Sequence, residues 1–242
     1  MPTAHDQTPA GQPRARGLKI PFAGRPGPWN AITDVPGVEV GYVTLIQGDR
    51  VRTGVTGIHP RGRSGAADPV AAGFHSQNGN GEMTGVSWIT ESGTFTGPIA
   101  ITNTHAVGVA HAGIIDWTLR HHPEVGDSWL LPVAAETWDG YLNDINGPHV
   151  TQPTVIAALD AARSGPVEEG SGGGGTGMNC YRISPVTCSS PSPPRTPRRS
   201  APDLSSCGSC RSCRGKAWTR TSRPWSRPPR RPWSTRWSPT RT

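Results

Sequence analysis

Cysteine is nearly missing from most of this 242-residue chain: of its 5 cysteines, only Cys180 lies before residue 183. That part has no disulfide framework. No apolar run approaches the ~20 residues of a membrane span. The start, Met1 to Gly17, is polar and proline-containing, with no stretch of signal-peptide type. The expectation from these absences is a cytoplasmic protein with no membrane partner.

Acidic residues are missing from one end. After Arg182 the only acid is Asp203, against 13 Lys and Arg, which leaves residues 183–242 at +12. Residues 1–182 hold 11 Lys and Arg against 16 Asp and Glu, or −5. The net +7 and the basic pI therefore belong to the tail and say little about the body. The tail also holds 11 of the 26 prolines, 13 serines, and 4 of the 9 tryptophans. Beyond alanine, its aliphatics are Ile183, Val186 and Leu204. So little apolar surface does not offset ordering entropy, and a disordered basic tail over 183–242 is expected. Residues 1–16 read as a disordered leader. The stretch 17–182 is long enough for one domain with a sizeable core.

Within that domain, Val38 to Ile46 is β-rich and partly alternating, and Val51 to His59 is its natural partner across the Gly48-Asp49 turn. Val70 to His75 reads as a short strand. Asn78-Gly79-Asn80-Gly81 is a strong turn signal, and Glu82 to Ile89 reads as a further strand. Short turns between strands imply a largely antiparallel sheet. Pro98 to Thr102 is another strand, with Thr104 as a cap for the helix after it. From His105 to His121, Val107, Ala110, Ile114 and Ile115 fall at helical spacing. A second helix opens at Gln152-Pro153-Thr154 and stops before Gly165-Pro166. The pattern is that of an α/β (α+β) domain.

The run Gly172-Gly173-Gly174-Gly175-Thr176-Gly177 lacks the Gly-Lys-Ser/Thr ending of a phosphate loop. Its physical role is to let backbone pass close to a neighbouring strand or site. His105, His111, His121 and His122 have no spacing with Cys or carboxylates that closes a metal site. A helical face with a cationic end accounts for them. No metal or cofactor is expected.

The densest chemistry lies behind the apolar run Trp129 to Ala135, whose part Leu130 to Ala135 reads as a buried strand. There stand Glu136, Trp138, Asp139, Tyr141, Asn143 and Asp144, with Asp139-Gly140 as a turn dipeptide. Polar groups crowded past a buried strand suit a substrate pocket. A surface turn whose Trp138 and Tyr141 pad the core accounts for the same composition.

Several segments together resemble one family. They are Leu18-Lys19-Ile20-Pro21, Asn30 to Val38, Asn103-Thr104-His105-Ala106-Val107-Gly108, Glu136 to Asp144, and Gly173 to Met178. The resemblance, over about residues 17–182, is to the DmpA-type L-aminopeptidase/D-alanine-esterase and amidase family. It implies a four-layer α-β-β-α sandwich like that of ornithine acetyltransferase, here incomplete. It implies a precursor that cuts itself at a Gly-Ser bond, freeing a serine whose own amine serves as base. Substrates would be peptides, amides or esters with a free amino end, and the assembly a homo-oligomer. By this resemblance Tyr141 helps form the oxyanion hole. Glu136 holds the substrate ammonium, and Trp138 lines the pocket.

After Arg182 the resemblance stops. The family's further strands, its catalytic asparagine, its cleavable Gly-Ser and a downstream Ser/Glu pair have no match in Ile183 to Thr242. Gly170-Ser171 comes too early, and Gly208-Ser209 has no apolar strand behind it. The nucleophilic serine is therefore expected to be absent, and the tail has the composition of a shifted reading frame in a G+C-rich gene. A nucleic-acid role for the tail is the alternative, since Trp218, Trp225, Trp233 and Trp237 stand among arginines. Cys207-x-x-Cys210-x-x-Cys213 has iron–sulfur-like spacing but lacks a fourth ligand.

Overall fold

In the computed structural model, the residues described are 3–76, 79–170 and 172–175. Two long strands, β1 (Glu39–Gln47) and β2 (Val51–His59), form an antiparallel hairpin from Glu39 opposite His59 to Gln47 opposite Val51. After a two-residue strand β3 (Val70–Ala71), a short helix α1 (Val86–Ser92) and β4 (Thr94–Phe95), the chain enters β5 (Ile99–Asn103). Helix α2 (Val107–His121) carries it over to β6 (Val133–Thr137), and α3 (Gln152–Asp160) comes last. The main sheet has the order β1-β2-β5-β6, and β3 pairs with β4 apart from it.

β1–β2, β2–β5 and β3–β4 pair antiparallel, in line with the largely antiparallel expectation, while the pairing of β5 with β6 is parallel. A fifteen-residue helix between two strands is long enough for a crossover, which a tight turn is not. Its consequence is positional: both strands end at the same edge, where loops can bring side chains together.

Helices α2 and α3 cover one face of the sheet. Val55, Ala100 and Ala134 from the strands meet Ala110, Ile114 and Trp117 of α2 and Val155, Ala158 and Leu159 of α3, all buried. Close approach depends on glycine: a Cβ at Gly41 would lie 2.4 Å from the Ala158 carbonyl oxygen. The other face receives a smaller cluster of Ile89, Phe95 and Val133, with Met83 and Ile99 packed on it. The glycine run crosses that same face, as its composition suggested. Gly173 N–H donates to Thr44 Oγ1 at 2.9 Å and Gly174 N–H to Thr56 Oγ1 at 3.0 Å. A side chain at Gly174 would strike the Ile101 carbonyl at 2.7 Å.

Two local readings are corrected. Glu82 to Ile89 is not a strand. Gly85 takes a left-handed φ of 76°, the direction reverses, and Val86 starts a helix that buries Ile89. Only Met83 pairs with β6, through an antiparallel bridge to Ala135. Val70 to His75 contributes just two paired residues.

Residues 3–16, expected from composition to be unstructured, are pinned by one cation. Arg14 is buried, donates to the carbonyls of Ala4, Trp29 (2.6 Å) and Val167 (3.2 Å), and pairs with Glu169 at 3.0 Å. A buried guanidinium has to be surrounded by acceptors, and here the leader's own backbone supplies part of the shell. The tail 183–242 lies outside the described residues, as do Asn78, Ser171, Gly208-Ser209, the cysteine triplet and the four tail tryptophans.

Candidate active site

The site is built at the common edge where β5 and β6 end. In the parallel register Thr102 stands beside Glu136 and Asn103 beside Thr137. On the outer side of β6, Glu136 N–H donates to the Glu82 carbonyl at 3.1 Å and Thr84 N–H to the Ala134 carbonyl at 2.9 Å. Glu136 is thus flanked on both sides, and its backbone is fixed by two neighbours.

Beyond β5 the chain turns through a 3-10 segment, Thr104–Ala106, into α2. The cap is Asn103 and not Thr104: Asn103 Oδ1 accepts from Ala106 N–H at 3.0 Å. This leaves the Thr104 hydroxyl free to turn the other way. It donates to Glu136 Oε2 at 2.5 Å. The second carboxylate oxygen, Oε1, lies next to Gly81, where an added Cβ would come within 3.1 Å of it.

Past β6 the Asp139 carbonyl accepts from the backbone of Leu142 and Asn143 and closes the expected turn. The Asp139 side chain is buried and takes a bond from Asn143 Nδ2 at 3.0 Å. Burial pushes its carboxyl above the usual range, while bonds from Thr53 and Asn143 hold it back. Asn143 Oδ1 in turn accepts from Arg52 N–H at 3.0 Å, and Asp144 N–H donates to the Arg50 carbonyl at 2.7 Å. Asn103 Nδ2 reaches Thr53 Oγ1 at 3.1 Å. The turn 139–144 is therefore tied to the β1–β2 hairpin and to the end of β5 by one buried polar network.

Of the residues read from sequence, Glu136 is half-buried at the strand end, Trp138 is 38% exposed and Tyr141 is 76% exposed. The Trp138 ring lies over Gly140, close enough that a Cβ there would meet it at 2.9 Å. Sequence reading missed Thr104 as a partner of Glu136, and Thr53, Asn103 and Asn143 as the network beneath. Asn103 had a readable signal, an Asn at a strand-to-helix junction; Thr53 had none, since β-pairing brings it in from fifty residues away. Among the described residues no group of three or more His, Cys, Asp or Glu could hold a metal ion, and no helix is long and apolar enough to cross a membrane.

A carboxylate with one oxygen held and the other beside a glycine can receive a cation, and a phenol one turn further can donate to an oxygen. Residues 30–190 match the sequence model of Peptidase family S58. The chain belongs to this family. Its curated relatives include a beta-peptidyl aminopeptidase, BapA, of Sphingosinicella microcystinivorans, 51% identical over 177 residues. Another is the BapA of Sphingosinicella xenopeptidilytica, 52% identical over 178. The alignments take in 70% of this chain and 44% of each relative, so the chain spans less than half the length of these S58 proteins.

Solved structures are similar too. The L-aminopeptidase D-Ala-esterase/amidase of Ochrobactrum anthropi is described as a prototype of the serine aminopeptidases and a variant of the Ntn hydrolase fold. It superposes with a TM-score of 0.65 at 50% identity, over 69% of this chain and 49% of that one. The PH0078 protein of Pyrococcus horikoshii OT3 gives 0.64 at 39%, over 69% and 50%. The fold expected from the family resemblance is thereby established as Ntn-hydrolase-like, with mixed α/β layers.

Proposed function

We propose that this chain carries the substrate-recognition half of a self-processing serine aminopeptidase. In this reading Glu136 anchors the free amine of a peptide, amide or ester, Trp138 lines the pocket, and Tyr141 donates to the oxyanion. The observation that carries it is the Glu136 carboxylate, oriented by Thr104 at the strand end of an S58 family member. A carboxylate that among the described residues is bonded through one oxygen only keeps a lone pair for an ammonium, and such charge-assisted contacts are among the strong ones.

In the same reading the chain as written neither cuts itself nor hydrolyses peptides. The family's nucleophile is a serine freed by Gly-Ser cleavage, and the Gly-Ser in Ile183 to Thr242, Gly208-Ser209, has no apolar run behind it in the sequence. The family match ends at residue 190. A reading frame shifted near codon 182 explains a segment rich in Arg, Pro, Ser and Trp, and the gene's nucleotide sequence tests it directly. Homo-oligomer formation and a cytoplasmic location belong to the same reading, to be checked by sedimentation and fractionation. The nucleic-acid alternative draws no support from the two BapA relatives or the Ochrobactrum anthropi protein, whose names are those of aminopeptidases.

Mass spectrometry and a chromogenic assay test the central claim together. One intact species near 25.6 kDa and background release from an amino-acid nitroanilide are expected, because losing a serine nucleophile costs on the order of 10⁶ in turnover. Two co-purifying fragments, one beginning at serine, would refute it.

A further inference from the structure

We infer that Thr104 is the residue that positions the amine-anchoring carboxylate, and that Gly81 sets how much room the incoming amine has. The inference rests on the reading of Glu136 as that anchor and adds two residues to it.

The Glu136 backbone is held on both sides of β6, but a glutamate side chain keeps three rotatable bonds, and nothing in the strand pairing selects among its rotamers. Thr104 does so. The parallel register ends β5 beside β6, and Asn103 takes over the capping of the next turn. The β-branched Thr104 side chain has restricted χ1 freedom, and its hydroxyl points at Glu136 Oε2 from 2.5 Å. A hydroxyl has one proton to give, so this bond fixes one oxygen and leaves Oε1 as the acceptor. Oε1 faces the backbone at Gly81, in the segment leading to Glu82, whose carbonyl takes the Glu136 N–H. The same peptide stretch that clamps the strand therefore borders the open oxygen. Gly81 has no positive φ, so alanine fits its backbone; among the described residues the one conflict a methyl meets is Oε1 at 3.1 Å. Glycine at 81 is there for space at the carboxylate and not for backbone freedom.

Two measurements on the 242-residue protein separate this from the parent reading. The first is binding of β-alaninamide against its N-acetyl derivative by titration calorimetry. Wild type is expected to prefer the free amine. Thr104→Val should reduce that preference about tenfold, the size of one hydrogen bond to a charged group, and Thr104→Ser should retain it. Gly81→Ala should reduce it too. The second is the 13C resonance of the Glu136 carboxylate, which should move in Thr104→Val and stay in Thr104→Ser. If wild type shows no preference for the free amine, Glu136 is not the anchor, and this inference falls with it. If Glu136→Gln abolishes the preference while Thr104→Val keeps it, the anchor stands and the positioning role is wrong. A carboxylate resonance unmoved in Thr104→Val likewise overturns the positioning role.

Discussion

His59 is wholly buried under α3, with its Nε2 at 3.1 Å from the Leu159 carbonyl and its ring 4.7 Å from that of Trp117. A carbonyl only accepts, so Nε2 carries the proton and Nδ1, which has no partner among the described residues, is bare. Burial holds the imidazole below its ordinary value of 6.5, opposed by the bond to Leu159 and the charges of Glu39 and Asp160. A depressed folded-state value means that the unfolded chain takes up the proton first. The stabilising contribution is whole above pH 6.5 and is lost as pH falls from there through the folded value. Urea denaturation between pH 7.5 and 5 should show falling stability, His59 supplying up to about 1.4 kcal/mol per pH unit. In His59→Gln, which keeps a donor for Leu159, that share of the slope should vanish. Equal slopes in the two proteins would mean that the ring titrates normally. Of the candidate site residues, Glu136, Trp138 and Tyr141 came from the family resemblance, whose motif Glu136 to Asp144 is contiguous in the sequence. Thr104 could not be named, since its hydroxyl serves a partner on another strand.

The elements with long, uninterrupted periodicity were the legible ones. β1, β2, β5 and α2 stand where alternation or helical spacing puts them, to within a residue or two, and α3 starts where expected but ends at Asp160, before the Gly165-Pro166 stop. What failed was Glu82 to Ile89, a short apolar segment that fits either period; the deciding feature, the left-handed turn at Gly85, acts through backbone geometry that an apolar count ignores. The parallel pairing of β5 and β6 was also hidden, because strand direction depends on what α2 packs against. That packing gives a contrast within one helix. In α2 a Cβ at Gly113 would lie 2.8 Å from the Val155 side chain of α3, whereas Gly108 has nothing within 4 Å. Gly108→Ala should raise the melting temperature, by up to about 1 kcal/mol of helix propensity. Gly113→Ala should lower it, because overpacking costs about 1–3 kcal/mol and outweighs the same propensity gain. A stabilised Gly113→Ala would show that the α2–α3 contact gives way freely.

On the scale of the whole molecule the described residues supply a four-stranded sheet with α2 and α3 on one face and the short α1 on the other, and Trp138 and Tyr141 stand exposed past the end of β6. Tyr141 is 76% exposed and Trp138 38%, with Ile46 of the opposite face at 56%. An oxyanion donor is worth most where water is excluded, because the same hydrogen bond competes poorly against bulk solvent. In the proposed reading, a recognition half with a hydrated phenol holds an amine but has little to offer a developing negative charge. The chain matches only 44% of the length of its curated S58 relatives. The prediction is that replacing everything after Arg182 with the corresponding second half of such a relative restores what is missing. That chimaera should split into two co-purifying fragments and release amine from an amino-acid amide. Within it, Tyr141→Phe should fold normally and lower turnover by about 10²–10³, the effect of removing one oxyanion donor, while leaving KM for a free-amine substrate nearly unchanged. Turnover equal to that of the unmutated chimaera would take Tyr141 out of the oxyanion hole and return it to padding the turn.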